Sequence, residues 1–181
     1  SKSYLSRYFD NIPLEERKKV KYVTIDMWEP YKDIVEMYLP NAVIAVDPFH
    51  VVKHLMEAFN RIRLDIQNQV LPNSTTYYLL KHWNWMLNKN NVNLDNEPVY
   101  NHHFRRKLNR RNIFSMILDI SEALALGYRI KEMYQRFNNE ATYENAEEWL
   151  DHIIETITYS EIPQFEKFLN WKKARIFMNE Y

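Results

Sequence analysis

A chain of 181 residues, 46% hydrophobic and 15% aromatic, has enough apolar side chain for one domain with a substantial core. Lys+Arg and Asp+Glu both number 24, so the formal charge is zero, which excludes a globally basic nucleic-acid coat and an acidic tail and leaves only a local charged patch. Cysteine is absent, which excludes disulfides and thiolate metal sites. No apolar run approaches the ~20 residues of a membrane span and no signal peptide is visible, so a soluble, cytoplasmic protein with no membrane partner is expected. The first residue is Ser and the chain opens within a helical pattern, which points to a fragment of a larger protein.

A single glycine, Gly127, and seven prolines favour long helices over tight turns. Ser3 to Phe9 reads as a short helix. "VKYVTID", Val20 to Asp26, is β-branched and aromatic and predicts a strand. Pro30 then occupies a first helical position with Glu29 as its cap, and Tyr31, Ile34, Val35 and Tyr38 form one apolar stripe. "AVIAVD", Ala42 to Asp47, is a continuous apolar strand of the kind buried on both faces. The strand–helix–strand order predicts a right-handed crossover and parallel strands, with Asp26 and Asp47 at their carboxyl ends.

From Pro48 onward the pattern is helical. Val51 to about Val70 is amphipathic, Thr76 to Asn88 predicts a second helix, and Lys89 to Asn101 is a polar loop. Phe104 to Phe137 predicts one or two long helices with Gly127 as a weak point. Thr142 is a candidate N-cap for the next helix, and a last helix starts at Glu161-Ile162-Pro163. No internal repeat is present.

Asp26 ends a strand three residues before its helix, a position outside the capping role that explains many helix-start aspartates. That leaves a ligand or acid/base role as the better account. Asp47 directly precedes Pro48 and is a natural N-cap, yet it shares with Asp26 the open edge of a parallel pair, where ligands bind. "DPFHVVKH" also offers His50 and His54. His50 suits an orienting role beside Asp47, and His54 suits plain solvation, although together the three have spacing that can bind a divalent metal. "HHFRRKLNRR", His102 to Arg111, is the dense basic cluster. As a helix it pairs Arg106 with Arg110 and Lys107 with Arg111 on one positive face, which is either solvated surface or a phosphate-docking site. The tryptophans fall mostly on apolar stripes and read as core; Trp28 is the exception, placed to wall the site or stack on a base.

"VTIDMWEPY", "LPNAVIAVDPFHVVKHL" and "ALALGYRIKEMYQRF" resemble the DDE transposases of bacterial insertion sequences, in particular the ISL-three family. The likeness extends through "LLKHWNWMLNKN" and "FLNWKKARI" over essentially the whole chain, with the first two motifs the more specific. It implies an α/β, predominantly helical fold: a partial RNase H-like core with two parallel strands over 1–55, a helical insertion over 56–160, and a helix leading back to the core over 161–181. It implies DNA cleavage and strand transfer at element ends, with three acids holding two divalent ions, Mg²⁺ or Mn²⁺. By resemblance Asp26 is the second acid and a metal ligand, and Asp47 with His50 matches an accessory C/D-x-x-H motif. The first acid belongs to an earlier strand, and the third to a Glu-Gly-x-Asn context that Glu180 lacks, so the chain alone is expected to be inactive. DNA is the implied partner, with Arg105, Arg106, Lys107, Arg110 and Arg111 as the candidate contacts. The exposed edge of an incomplete sheet further predicts a homo-oligomer. Two alternatives stand beside this reading: another RNase H-like metal-dependent nuclease, and a non-catalytic helical module in which both aspartates only cap helices.

Overall fold

The computed structural model of the chain describes residues 2–26, 29–142 and 144–166. The first unit runs α1 (Lys2–Asp10), α2 (Leu14–Arg17), β1 (Tyr22–Ile25), α3 (Glu29–Tyr38) and β2 (Val43–Val46). The two strands pair in parallel, in register from Tyr22↔Val43 to Ile25↔Val46. Both are shorter at their amino ends than the sequence suggests. The amides of Val20 and Ala42 close turns onto the carbonyls of Arg17 and Leu39 and are thereby lost to the ladder. Ile25, Val35, Leu39 and Ile44 form the buried centre of this unit, with Phe9 stacked on Tyr38 at 5.6 Å. Arg17 fastens it, donating to the carbonyls of Ile12 (3.0 Å) and Tyr38 (2.8 Å) while lying over the Tyr38 ring. The Tyr38 contact places a cation on the last carbonyls of α3, where the helix dipole favours one. Burial on both faces is not what this sheet shows: Tyr22 and Thr24 are exposed, and Val43 and Ala45 only half-buried. The apolar run packs one face onto α1 and α3.

β2 passes directly into α4 (Pro48–Gln69), a 22-residue helix whose buried Val51, Leu55, Phe59 and Ile62 repeat at helical spacing. Around it stand α5 (Thr75–His82), α6 (Trp85–Asn88), a hairpin of β3 (Val99–Asn101) and β4 (Arg106–Leu108), then α7 (Arg110–Leu118), α8 (Glu122–Glu140), α9 (Ala146–Ser160) and a 3₁₀ turn at Pro163–Phe165. These elements share one larger core that includes Leu80, Met86, Ile117, Ile130 and Phe165.

Several local expectations are corrected. The helix over Thr76 to Asn88 breaks at Trp83 and Asn84, where the Asn84 side-chain Nδ2 donates to the Lys81 carbonyl and competes with the helical ladder. The basic segment is a hairpin and not a helix. Asn101 Oδ1 accepts from the amides of His103 and Phe104, Arg105 takes a left-handed φ of 51°, and helix starts only at Arg110. The break in Phe104 to Phe137 falls at 119–121, and Gly127 lies buried in the middle of α8. Thr142 does not cap α9. Asn145 occupies the cap position, and its side-chain oxygen accepts from the Thr142 amide at 2.7 Å. Trp28, Trp171 and most of the helix expected after Glu161 lie outside the described residues.

Gly127 is explained by packing. A β-carbon there would stand 2.9 Å from Ile62 Cδ1 and 3.0 Å from Phe59 Cδ2, so the residue lets α8 approach α4 closely. Four residues on, Lys131 is fully buried. Its ammonium donates to the Leu87 carbonyl at the end of α6 (2.9 Å), pairs with Glu132 (2.9 Å) and lies 4.4 Å from the Tyr128 ring centroid. Burial, reinforced by Glu132, raises the Tyr128 phenol far above its ordinary range, so it stays neutral.

Two outcomes follow in chemical denaturation. Gly127→Ala should change stability by less than about 1 kcal/mol, because better helix propensity offsets small shifts of Ile62 and Phe59, whereas Gly127→Leu should cost about 1–3 kcal/mol by overpacking. Lys131→Ala should cost about 2–4 kcal/mol, since it opens a cavity and orphans the Leu87 carbonyl. Equal denaturation midpoints for wild type, Gly127→Leu and Lys131→Ala would contradict this packing.

Candidate active site and basic hairpin

The Ile25↔Val46 pair ends the parallel ladder, and the Asp47 amide still donates to the Ile25 carbonyl at 3.0 Å. Asp26 and Asp47 are therefore the first residues beyond the paired strands, at the same height. Adjacent strands lie about 5 Å apart, and side chains at matched positions leave the same face of a sheet. The backbone thus places Asp26 and Asp47 side by side at the carboxyl edge, the position where open parallel sheets bind ligands.

Asp47 divides its oxygens. Oδ1 accepts from the Phe49 amide at 2.9 Å and caps α4, with Pro48 at the first helical position. Oδ2 faces His50 Nε2 at 3.8 Å, just beyond hydrogen-bond reach. The His50 amide meanwhile donates to the Asp47 carbonyl, and the Phe49 ring lies edge-on to the imidazole at 5.8 Å. His54 stands apart, its Nδ1 3.2 Å from Glu57 Oε2 on the helix surface. His54, expected to be plainly solvated, instead has Glu57 as a partner, and the run "DPFHVVKH" does not gather into one three-ligand face. Among the described residues no group of three or more His, Asp or Glu side chains is arranged to hold a metal. Asp26 and the outer oxygen of Asp47 are hard donors of the kind Mg²⁺ and Mn²⁺ take, and Mg²⁺ is commonly held by one or two carboxylates plus substrate phosphates. The donor set fits part of a divalent site. A complete protein shell needs ligands beyond these.

The basic cluster separates into two populations. Arg111 grips Asp95 with two bonds of 2.7 Å, and that hydrogen bond holds the exposed Asp95 carboxyl below its usual range. Its charge is already matched. Arg110 donates to the Asn93 carbonyl at 3.2 Å and lies 5.6 Å from the Trp85 ring centroid, with no ion pair to a carboxylate among the described residues. Arg105, Arg106 and Lys107 occupy the hairpin turn and β4 and form no ion pair among the described residues. Beside them His103 stacks on Tyr78 at 4.0 Å and shares a 3.2 Å hydrogen bond with Thr75.

The single helical face expected from the i, i+4 spacing is absent, because Arg106 and Lys107 lie on β4 while Arg110 and Arg111 open α7 after the Asn109 cap. What the pattern concealed was Asn101, which shapes the hairpin turn, and Asn93 and Asp95, which hold Arg110 and Arg111 from the preceding loop. Asn is a turn-former, and its density through this stretch was the available signal. No helix among the described residues is long and apolar enough to cross a membrane.

Comparison with known proteins agrees with the motif-level resemblance. The transposase of insertion sequence element IS1001 from Bordetella parapertussis is 32% identical over 93 residues, which is 51% of this chain and 23% of that protein. No solved structure matches the chain. The sequence model of the ISL3-type (ISL-three) DDE transposase family, described as Transposase, matches residues 1–176. Nearly the whole chain is covered by that match, and the chain belongs to the ISL-three family of DDE transposases.

Proposed function

We propose that this chain supplies part of the catalytic domain of a transposase that cuts DNA at the ends of an insertion sequence and joins the freed ends to a target. The observation that carries the reading is the side-by-side arrangement of Asp26 and Asp47 at the carboxyl edge of β1 and β2, within a chain of this family. Residues 1–55, with the strand–helix–strand unit, are read as part of an RNase H-like core, and residues 56–160 as its helical insertion. The reaction is in-line displacement at a phosphodiester, with water and then a DNA 3′-hydroxyl as nucleophile.

Divalent ions, Mg²⁺ or Mn²⁺, would polarise the scissile phosphate and activate the nucleophile. Asp26 contributes an anionic oxygen that holds such an ion. Asp47 fixes the start of α4 through Oδ1 and presents Oδ2 towards His50, so the pair orients the site without itself carrying the chemistry. The family's other two acids are not assigned to residues of this chain, and the chain alone is proposed to be inactive. The partner is DNA, engaged through the hairpin cations, and the active assembly is a homo-oligomer. Support for a strand-mediated contact comes from the outer edges of β1 and β2, to which no further strand pairs among the described residues.

In the whole transposase, Asp26→Asn should abolish cleavage of an element-end duplex in Mg²⁺ or Mn²⁺, because an amide lacks the charge that holds the ion. Its thermal stability should stay within about 1 kcal/mol of wild type. Asp47→Asn should keep the cap, while Asp47→Ala should lose about 0.5–2 kcal/mol of stability. Near wild-type cleavage by Asp26→Asn would move the catalytic acid elsewhere.

DNA binding gives a second test. Reversing Arg105, Arg106 and Lys107 together should weaken binding to random duplex and flatten its salt dependence by roughly 0.9 logarithmic unit per lost phosphate contact. Arg111→Glu should change the salt slope little, since Asp95 already neutralises that guanidinium. An unchanged slope in the triple variant assigns the hairpin cations to solvent.

A further inference from the structure

At the amino ends of β1 and β2, the far end from the aspartates, two side chains bridge the segments that lead into the strands. Arg17 is half-buried between exposed neighbours, and two of its donors go to carbonyls. Nε donates to Ile12 (3.0 Å), which anchors the guanidinium on its own segment, and Nη1 reaches across to Tyr38, the last residue of α3 (2.8 Å). Asn41 Nδ2 reaches the other way, donating to the Lys18 carbonyl at 3.0 Å. Closed turns leave little slack between these bonds and the strands. The Val20 amide donates to the Arg17 carbonyl on one side, and the Ala42 amide to the Leu39 carbonyl on the other. The Val43 amide then donates to the Lys21 carbonyl at 2.8 Å, and the ladder begins at Tyr22↔Val43.

The bridges repeat the register of the ladder. Arg17 and Tyr38 are 21 residues apart, as are the paired strand residues, and Lys18 and Asn41 are 23 apart. Burial alone does not fix that register. A slip of one residue would turn Ile25 or Ile44 to the outer face, but a slip of two restores the alternation, because the side-chain period is two. Such a slip would carry one strand about 6.6 Å past the other and separate Asp26 from Asp47 by the same step. The two bridges oppose it, since hydrogen bonds of 2.8 and 3.0 Å do not survive that displacement. A cation suits the task. Hydrogen bonds from a charged donor are the stronger kind, and the dipole of α3 adds to the attraction at its last carbonyls.

We propose that Arg17, assisted by Asn41, is a positioning residue for the candidate active site. Its clamp at the amino ends of the two strands selects the one register in which Asp26 and Asp47 stand side by side at the carboxyl ends. The proposal rests on the reading of that edge as the catalytic one, and it works through the backbone of β1 and β2.

Three cysteine pairs read the register in the 181-residue chain, which has no cysteine of its own. Asp26→Cys with Asp47→Cys reports the native one. Thr24→Cys with Asp47→Cys, and Asp26→Cys with Ala45→Cys, report slips of two in either direction. In the native register these diagonal positions are about 8 Å apart, beyond the span of a disulfide. In a glutathione redox buffer, the yield of offset bridges relative to the native bridge should rise about tenfold when Arg17→Ala and Asn41→Ala are combined, as expected for losing hydrogen bonds from a charged donor. Arg17→Lys keeps a cation near the Tyr38 carbonyl without the fork and should give an intermediate ratio. Val35→Ala, a core truncation in the same unit, should lower thermal stability and leave the ratio as in wild type. Circular dichroism establishes that each variant is folded. If the double variant is not, Asn41→Ala alone, at an exposed position, carries the test with a rise of about threefold. An unchanged ratio in the folded variant, or an equal rise in Val35→Ala, overturns the proposal. Bridging is read without metal, DNA or cleavage, so that result would leave the role of Asp26 standing. Cleavage by Asp26→Asn would instead remove the site and leave the clamp.

Discussion

Everything proposed for the carboxylates depends on four residue pairs, Tyr22↔Val43 to Ile25↔Val46, joined in parallel. A parallel ladder ends both strands at one edge, so the residue following each strand arrives at the same place. A shift of one residue would carry either aspartate to the opposite face of the sheet, because side chains alternate along a strand. What secures the register is burial of Ile25 and Ile44 on α3, together with the turns at Val20 and Ala42 that fix where each strand starts. The register is the structural basis of the site.

The second dependence runs through α4. Its first turn is capped by Asp47, and further along the same helix Phe59 and Ile62 meet Gly127 of α8. One continuous helix thus joins the candidate active site to the larger core. Asp47 contributes to both, since one oxygen ends the helix and the other faces His50. The cap need not be ionised to work, whereas a metal-holding or imidazole-orienting role depends on charge. That difference lets substitutions separate the two contributions.

Much of the first unit was legible in the sequence. β-branched runs, Pro30 and Pro48 at helix starts, and aspartates at strand ends each reflect a local physical preference, and together they place β1, α3, β2 and the start of α4. Legibility failed where polar side chains override helical spacing. Arg106, Lys107, Arg110 and Arg111 have the periodicity of a helix, yet Asn101 and the left-handed Arg105 bend the chain into a hairpin, and Asn109 with Asn112 starts the helix afterwards. Counting charges at i, i+4 cannot detect the acceptor of a turn. Arg111 illustrates the same limit, because its partner Asp95 is distant in sequence and no local pattern announces the pair. Gly127 looked like a breaker and proved to be a contact point between helices, a role set by residues of α4 that lie far back in the chain.

The most direct measurement is a disulfide between the two positions at the sheet edge. The chain has no cysteine of its own, so an Asp26→Cys and Asp47→Cys double variant carries a single possible intramolecular bridge. Neighbouring parallel strands lie about 5 Å apart, within the span a disulfide accepts. A control pair, Tyr22→Cys with Asp47→Cys, is separated by about 13 Å of strand. Mild oxidation of the folded protein should close the first pair to an intramolecular bridge and leave the control pair as free thiols. Free thiols in the first variant, or equal bridging in both, would contradict the register and with it the meeting of Asp26 and Asp47.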